Sequence, residues 1–257
     1  MASARSCLAT AVIGRTLLVA GGNDGLAFHR SVERFDPTTG GWASTAPMLQ
    51  PRNNVGAAVV NGRLYVVGGF GSNVPRCSAE CFDPLTGVWS QVAAMHTPRS
   101  RLGTVVLNDQ IYAVGGHDGH NILASVERFD PATGNWTVVA PMSTARCFLG
   151  AAVLEGKLYA VGGRRGHGHN HLRSVECYDP TTDAWTEVAQ MNVARSKCSC
   201  AVLEGKLYAV GGKSFNSDRL SSVECFDPKT ANWVEVQPML QARSYLATAT
   251  MEAPALG

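Results

Sequence analysis

Positively charged side chains stand where an otherwise regular sequence pattern is broken, and aromatic side chains occur at matching places. The cations are Arg101, Arg164, Arg165, Lys197 and Lys213. Residues at matching places are His117, Asn54, Phe70, Phe148 and Tyr245. Cations gathered on one rim favour an anionic partner, and arginine holds a carboxylate or phosphate through paired hydrogen bonds. These residue types predict a binding site for an acidic peptide, with the aromatic side chains as apolar anchors.

Histidines and cysteines offer a second kind of chemistry, metal binding. His167, His169 and His171 alternate in a glycine-rich stretch, and Cys198 and Cys200 are two residues apart. Imidazole and thiolate are common metal ligands. The histidine stretch lies in a long variable connection without a fixed fourth ligand, and a Cys-x-Cys pair on a core strand usually serves packing. We therefore predict no metal site and no cofactor.

Enzyme signatures are missing from the sequence. There is no Gly-x-x-x-x-Gly-Lys-Ser/Thr, no His-Glu-x-x-His and no Gly-x-Ser-x-Gly. The glutamates and arginines that suggest charge chemistry recur once per repeat at one register, which is typical of a structural element. They are Glu33, Glu80, Glu127, Glu176 and Glu224, with Arg52, Arg99, Arg146, Arg195 and Arg243. The sequence predicts a non-enzymatic protein.

A repeated unit positions all of these residues. Ala-Val-Leu-Glu-Gly-Lys-Leu-Tyr-Ala-Val-Gly-Gly occurs at 152–163 and again at 201–212, and weaker copies end at three earlier glycine pairs. The five pairs are 47, 47, 47 and 49 residues apart. Each is followed by a variable loop, an Asp-Pro, a tryptophan, a methionine and, four residues later, an arginine. A fixed period of this length indicates a solenoid, propeller or array.

Each repeat contains four short apolar runs separated by Gly, Asp and Pro, which predicts four β-strands and no helix. Four-stranded units of this period are propeller blades. Small residues at the centre of the first run predict that it lies innermost, near residues 5–12, 53–60, 100–107, 147–154 and 197–203. We expect the tryptophan to cover the glycine pair. The variable loops and the starts of the inner strands should share one face, at the mouth of the central channel.

These marks resemble kelch repeats: the glycine pair, the aromatic residue before Asp-Pro, the spaced tryptophan and the Pro-Met-x-x-x-Arg run. The likeness covers about residues 5 to 250 and is greatest to the propeller of Kelch-like (BTB–BACK–kelch) proteins, which usually has six blades. Here there are five complete copies, and residues 1–257 contain no BTB or BACK segment. The resemblance implies peptide binding at the mouth, through residues after the glycine pair and just after the repeated arginine.

The implied role is substrate recognition for a cullin-RING ubiquitin ligase, whose cullin the missing BTB segment would recruit. The alternative partner is actin, with the protein as a cytoskeletal kelch scaffold. The fold expected is all-β, a kelch-type propeller with five four-stranded blades plus one extra C-terminal inner strand. Its single domain, 1–257, divides into repeats at about 5–51, 52–98, 99–145, 146–194 and 195–242, with the extra strand at 243–251.

The two ends of the chain carry related sequences. Residues 5–11 and 243–249 agree at six of seven positions, and both have the pattern of an inner strand. Two arrangements remain open: a closed five-bladed ring with the last strand outside, or a fragment of a six-bladed ring.

Composition limits the class of partner. The net charge is +2, 16% of residues are charged and 45% are hydrophobic, so the chain can form a core and has no overall charge suited to nucleic acid. The apolar runs are strand-length, and no apolar leader stretch opens the sequence. Three of the eight cysteines share a repeat position with arginines, which is not a disulfide framework. We expect no membrane association and a cytoplasmic or nuclear location.

Overall fold

Five antiparallel four-stranded sheets form the fold of the chain. The structure, a computed structural model, describes residues 1, 3–166, 168 and 170–251. In each sheet the strands are neighbours in sequence order, innermost first. This confirms the predicted all-β propeller with five blades. Among the described residues there is no helix that could cross a membrane.

The strand bounds repeat closely from blade to blade. Blade 1 contains β1 (Ala9–Ile13), β2 (Thr16–Ala20), β3 (Val32–Asp36) and β4 (Gly41–Thr45). Blade 2 contains β5 (Gly56–Val60), β6 (Arg63–Val67), β9 (Ala79–Asp83) and β10 (Val88–Val92), with a small hairpin of β7 (Phe70–Gly71) and β8 (Val74–Pro75). Blade 3 contains β11 (Gly103–Leu107), β12 (Gln110–Val114), β13 (Val126–Asp130) and β14 (Asn135–Val139). Blade 4 contains β15 (Gly150–Leu154), β16 (Lys157–Val161), β17 (Val175–Asp179) and β18 (Ala184–Val188). Blade 5 contains β19 (Ser199–Leu203), β20 (Lys206–Val210), β21 (Val223–Asp227) and β22 (Asn232–Val236).

The Asp-Pro pair ends the third strand of each blade. In blade 3, Pro131 has no amide hydrogen to continue the ladder. The side chain of Asp130 instead accepts a hydrogen bond from the amide of Ala132 at 2.8 Å, which closes a turn. In blade 2 the same turn lowers the pKa of Asp83, and the largest cause of this shift is the hydrogen bond that the amide of Leu85 donates. The sequence thus fixes where the chain reverses toward the outer strand.

The inner strands begin two to four residues later than predicted, at Ala9, Gly56, Gly103, Gly150 and Ser199. Just before each strand, one residue adopts a left-handed conformation with φ between 50° and 60°. These residues are Cys7, Asn54, Arg101, Phe148 and Lys197, and Tyr245 holds the same conformation at the last copy. A positive φ interrupts the extended backbone, so the predicted starts were wrong.

Methionine, and not tryptophan, covers the glycine pair. At Gly115, a Cβ atom would lie 2.5 Å from the carbonyl oxygen of Arg146 and 3.1 Å from Cε of Met142. The tryptophan instead packs on the preceding blade: the Trp136 indole donates to the carbonyl of Ala93 at 2.8 Å. The expectation that the tryptophan covers the glycines was therefore wrong. The glycine pair is required because a neighbouring backbone passes where a side chain would stand.

Gly115→Ala should destabilise the protein by about 2–3 kcal/mol, because it combines a clash with backbone strain at φ +59°. Gly134→Ala is the matched control: φ is +72°, but no atom lies within 4 Å of the added carbon. That variant should lose only about 1 kcal/mol. Urea unfolding measures both. Equal losses would contradict the close approach at Gly115.

The apolar core lies between blades. Four clusters form, each joining one face of a blade to the opposite face of the next. Between blades 2 and 3, for example, Val60 and Tyr65 belong to the same cluster as Ile111, Phe129 and Trp136. Blades 2, 3 and 4 are therefore each stabilised by two neighbours, and these clusters join blades 1 and 5 to one neighbour each.

Buried ion pairs tie each connection to the following blade. Arg52, Arg99, Arg146 and Arg195 are fully buried, and each contacts the glutamate of the next blade at 2.7 to 3.0 Å. Arg5 makes the same contact with Glu33 at 2.7 Å. The prediction that these repeated charges are structural is confirmed for these five pairs, whereas Arg243 of the predicted set is exposed.

The C-terminal segment fills a sixth inner position between β19 and β1. Thr248 donates from its hydroxyl to the carbonyl of Cys200 at 2.8 Å, and its own carbonyl accepts a bond from the Thr10 hydroxyl at 3.0 Å. The segment therefore lies inside the ring, so the arrangement with the last strand outside was wrong. It forms no regular ladder, because the described residues include no second strand beside it.

Candidate functional site

Six residues surround one end of the central channel. They are the left-handed residues Cys7, Asn54, Arg101, Phe148, Lys197 and Tyr245, called the inner ring below. Their backbones form a closed circle in which each amide donates to the carbonyl of its counterpart in the preceding position, at 2.8 to 3.3 Å. Because all six amides are used, recognition at this mouth must come mainly from side chains.

Phe148 is the centre of a cationic and aromatic group at the mouth. The guanidinium carbons of Arg101 and Arg164 lie 4.8 and 5.3 Å from its ring centroid, and Nζ of Lys197 lies at 5.3 Å. The Tyr245 ring stands edge-on to Phe148 at 5.5 Å, with Lys197 4.2 Å above it. Three cations thus converge on one pair of aromatic rings. We call these five residues the Phe148 group.

The cations at the mouth lack an acidic partner in the part of the chain that the structure describes. Among the described residues, no carboxylate lies within ion-pair distance of Arg101, Arg164 or Lys197. Nε of Arg164 is buried with no hydrogen-bond partner among these residues. Positive charge that is held together without internal compensation favours an anionic ligand.

A cavity of about 190 Å³ opens below the inner ring. Its described lining includes no acidic residue, and its deeper wall carries Thr104, Cys200 and Thr248. Small-molecule sites are generally about 300–1,000 Å³. The cavity is therefore sized for one or two inserted side chains of a longer ligand.

The structure does not bring every predicted residue to the Phe148 group. Phe70 stacks edge-on with Phe28 at 6.0 Å, and Asn54 contributes to the inner ring and the cavity. Lys213 forms an ion pair with Asp218. Nδ1 of His117 accepts a hydrogen bond from the amide of Gly119 at 3.0 Å, which holds its own loop. Arg165 is exposed on the loop of blade 4.

Two of the three clustered histidines, His167 and His169, lie outside the described residues. His171 contacts the Ser196 hydroxyl at 2.8 Å. Across the described residues, no group of three or more histidine, cysteine or acidic side chains is arranged to hold a metal ion. All eight cysteines are free thiols.

Cys7 is an inner-ring residue that the sequence prediction missed. Its equivalence to Tyr245 was visible in the agreement between residues 5–11 and 243–249, where this position is the one mismatch. Burial raises the pKa of Cys7 and of Cys147, although Lys197 near the first and Arg164 near the second oppose the rise. Both thiols are therefore kept protonated and poorly nucleophilic.

Comparisons with known proteins agree with this fold. The family described as Kelch motif matches residues 4–49, 51–96, 98–143, 145–192 and 194–240. A solved structure titled "Structure of YjhT" superposes with a TM-score of 0.84 at 16% sequence identity, covering 95% of this chain and 86% of that chain. At this identity the likeness concerns the fold. No sequence among the curated proteins matches.

Proposed function

Since this chain belongs to the Kelch motif family, with five copies matched along its length, we propose that it is a non-enzymatic interaction module that binds a short acidic peptide at the propeller mouth. The observation that carries the proposal is the convergence of Arg101, Arg164 and Lys197 on Phe148, without a carboxylate partner in the described chain. The aromatic pair supplies an apolar anchor, and the cations supply the charge.

The ligand enters in an extended or turned conformation and places one or two side chains in the cavity. An acidic side chain meets the guanidinium of Arg101 or Arg164, where two parallel hydrogen bonds hold a carboxylate in a fixed orientation. The backbone of the inner ring contributes little, because its amides are already bonded. Specificity therefore depends on side-chain charge and on the shape around Phe148.

A non-enzymatic role is supported by the causes of the shifted pKa values. The tyrosines with strongly raised pKa values, such as Tyr65 at about 12, are raised chiefly by burial in the blades. The arginine–glutamate pairs recur at every blade connection, where they bond the scaffold. These shifts have structural causes, and the thiols at the mouth, Cys7 and Cys147, have raised pKa values because they are buried.

Arg101→Asn and Lys197→Asn should each weaken binding of an acidic peptide by about 2 kcal/mol, the loss expected when a hot-spot side chain is truncated. Asparagine is chosen because the chain itself carries Asn54 at the equivalent left-handed position, so the backbone is preserved. A peptide array identifies the ligand, and calorimetric titration measures the affinity. Binding should also weaken as salt is raised.

Lys229→Asn is the matched control, since Lys229 is exposed in the turn between β21 and β22, at the opposite end of the blade. It should leave the affinity unchanged. If the best array peptides are neutral or basic, or if both mouth variants bind as tightly as the wild type, the proposed site is wrong.

The larger role proposed is substrate recognition for a cullin-RING ubiquitin ligase, and it rests on the resemblance to Kelch-like proteins. Affinity capture followed by mass spectrometry tests its substrate-binding part: proteins recovered with the wild type should be lost with Lys197→Asn, and cullin is expected only when the captured chain also carries a BTB segment. The competing role, an actin-binding scaffold, is tested by cosedimentation with filaments. Sedimentation that is unaffected by mouth variants would favour actin over the ligase.

A further inference from the structure

The positive charge at the mouth is larger than one carboxylate neutralises. Arg101, Arg164 and Lys197 each lie within 5.3 Å of the Phe148 ring centroid, and among the described residues no carboxylate pairs with them. All three cations are partly buried, so salt screens them less than it screens fully exposed charges. A ligand aspartate or glutamate offers a single negative charge to these three cations.

Two of these charges also act on the far side of the mouth. Cys7 is three positions away from Phe148 along the hydrogen bonds of the inner ring, which places the two residues on opposite sides of the channel. Burial is the largest influence on the pKa of the Cys7 thiol and raises it, while the nearby charges of Lys197 and Arg101 lower it. A ligand group between Phe148 and Cys7 is therefore close to both cations.

The hydrogen-bond donors for an anion at the mouth come from side chains. Each inner-ring amide already donates to a neighbouring carbonyl, so the ring offers no nest of backbone N–H groups. The guanidinium carbon of Arg101 lies 4.8 Å from the Phe148 ring centroid, a cation–π contact that uses none of its N–H donors. The aromatic ring thus holds this guanidinium in place while its donors serve a ligand.

We propose that the anionic group bound at this mouth is a phosphate monoester, carried by a phosphoserine or phosphothreonine of the peptide, an inference that rests on the proposed function. A phosphorylated side chain has about −1.5 to −2 charge at pH 7 and three acceptor oxygens. It therefore neutralises more of the charge than a carboxylate does. One oxygen pair accepts the parallel hydrogen bonds of a guanidinium, and the third oxygen remains for the Lys197 ammonium.

The level of the cations in the channel favours a short phosphorylated side chain. Arg101 and Lys197 belong to the inner ring, whereas the deeper wall of the cavity carries Thr104, Cys200 and Thr248. A phosphotyrosine ring inserted into the cavity would place its phosphate below the cations, beside hydroxyls and a thiol. A phosphoserine or phosphothreonine in a segment that lies across the rim places the phosphate among the cations.

Phosphate monoesters also occur on lipid headgroups, and phosphate occurs as a free ion. A peptide is favoured because Phe148 and Tyr245, with ring centroids 5.5 Å apart, form an apolar anchor at the mouth. The cavity of about 190 Å³ also has room for a side chain that neighbours the phosphorylated residue. A headgroup held in a membrane, or a free ion, would leave both features without an occupant.

The test uses three degenerate peptide libraries that differ only in one fixed central residue, which is phosphoserine, glutamate or serine. Each library carries a fluorescent label, and its apparent affinity for the full chain is measured by polarisation. We expect the phosphoserine library to bind about tenfold more tightly than the glutamate library, because the phosphate adds charge and about one charge-assisted hydrogen bond. The serine library should bind most weakly.

Arg101→Lys separates recognition of the phosphate from simple attraction of charge. Lys197 holds the equivalent left-handed position, so lysine suits the backbone at position 101, and it keeps the charge but lacks the planar pair of donors. Binding of the phosphoserine library should fall about tenfold. Lys229→Asn, in an exposed turn at the opposite end of blade 5, is the control and should leave binding unchanged. Equal melting temperatures for both variants and the wild type show that the fold is intact.

Several results would overturn the phosphate assignment. If the glutamate library binds as tightly as the phosphoserine library, the assignment fails while the proposed acidic-peptide site stands. If none of the three libraries binds, both fail. Tighter binding of a library with phosphotyrosine at the fixed position would contradict the short side chain. Tighter binding of vesicles that contain phosphatidylinositol phosphates would assign the site to a membrane, and equal binding of inorganic phosphate would assign it to a free ion.

Discussion

Arg99→Ala is expected to lower the free energy of unfolding by about 3–5 kcal/mol, because it leaves a buried carboxylate without its cation. The Arg99 guanidinium donates to the carbonyls of Gly115 at 2.9 Å and Ser125 at 2.7 Å, and to Oε1 of Glu127 at 3.0 Å. Both side chains of the ion pair are completely buried. One residue thus joins a blade connection, a glycine pair and a strand of the next blade.

Arg243→Ala is the matched control, since it removes the same residue from the same repeat position where it is exposed. Surface substitutions of this kind generally change stability by about 0.5 kcal/mol or less. Guanidinium chloride unfolding of both variants gives the comparison. If the two variants lose equal stability, the buried pairs do not hold the blades together.

Acid should reduce the difference between the wild type and Arg99→Ala. Burial raises the pKa of Glu127, but the amide of His96, its side chain and the Arg99 charge outweigh burial and hold the pKa below its usual range. A carboxyl whose folded pKa is lowered contributes stability above its unfolded pKa, about 4.3, and this is lost as the pH falls through the folded value. Unfolding measured between pH 7 and pH 3 should show this convergence.

The blade architecture could be predicted from the sequence because each blade repeats the same local signals. Asp130 and Pro131 stop a strand wherever they occur, and the glycine pairs mark close backbone approach at a fixed period. These signals act over a few residues, so the order of strands follows from them. The repeat positions of Arg99 and Glu127 could be identified from the sequence for the same reason.

The left-handed residues could not be predicted because their conformation is set by the backbone bonds of the inner ring and not by residue type. Cys, Asn, Arg, Phe, Lys and Tyr all adopt it at the same position, although only asparagine favours it. The backbone bond from each of these residues to its neighbour, such as Phe148 to Arg101 at 2.8 Å, stabilises it. Such bonds join residues about 47 positions apart, beyond the reach of local pattern.

The candidate site was predicted only in part, for a similar reason. Arg101, Phe148, Lys197 and Tyr245 were identified because they break the repeat, and the inner ring brings them to one mouth. Lys213 breaks the repeat equally well, but its loop places Asp218 beside it. Whether two charged residues of a variable loop form an ion pair depends on the conformation of that loop, which the repeat does not specify.

Trp136→Ala should lower the free energy of unfolding by about 3–5 kcal/mol, as expected for a buried aromatic truncation. The indole is 7% exposed, donates to Ala93 at 2.8 Å and lies 5.1 Å from the Phe129 ring. Trp42→Ala is the matched control, because Trp42 keeps its contact with Phe35 at 5.2 Å but is 37% exposed. It should lose less than about 2 kcal/mol.

Thermal and urea unfolding of the two tryptophan variants show whether contact with the preceding blade is the main contribution of this tryptophan to stability. Both residues occupy one repeat position and one strand type, so propensity and turn effects cancel in the comparison. If Trp42→Ala is as damaging as Trp136→Ala, the contribution comes from within the blade and the interface argument fails.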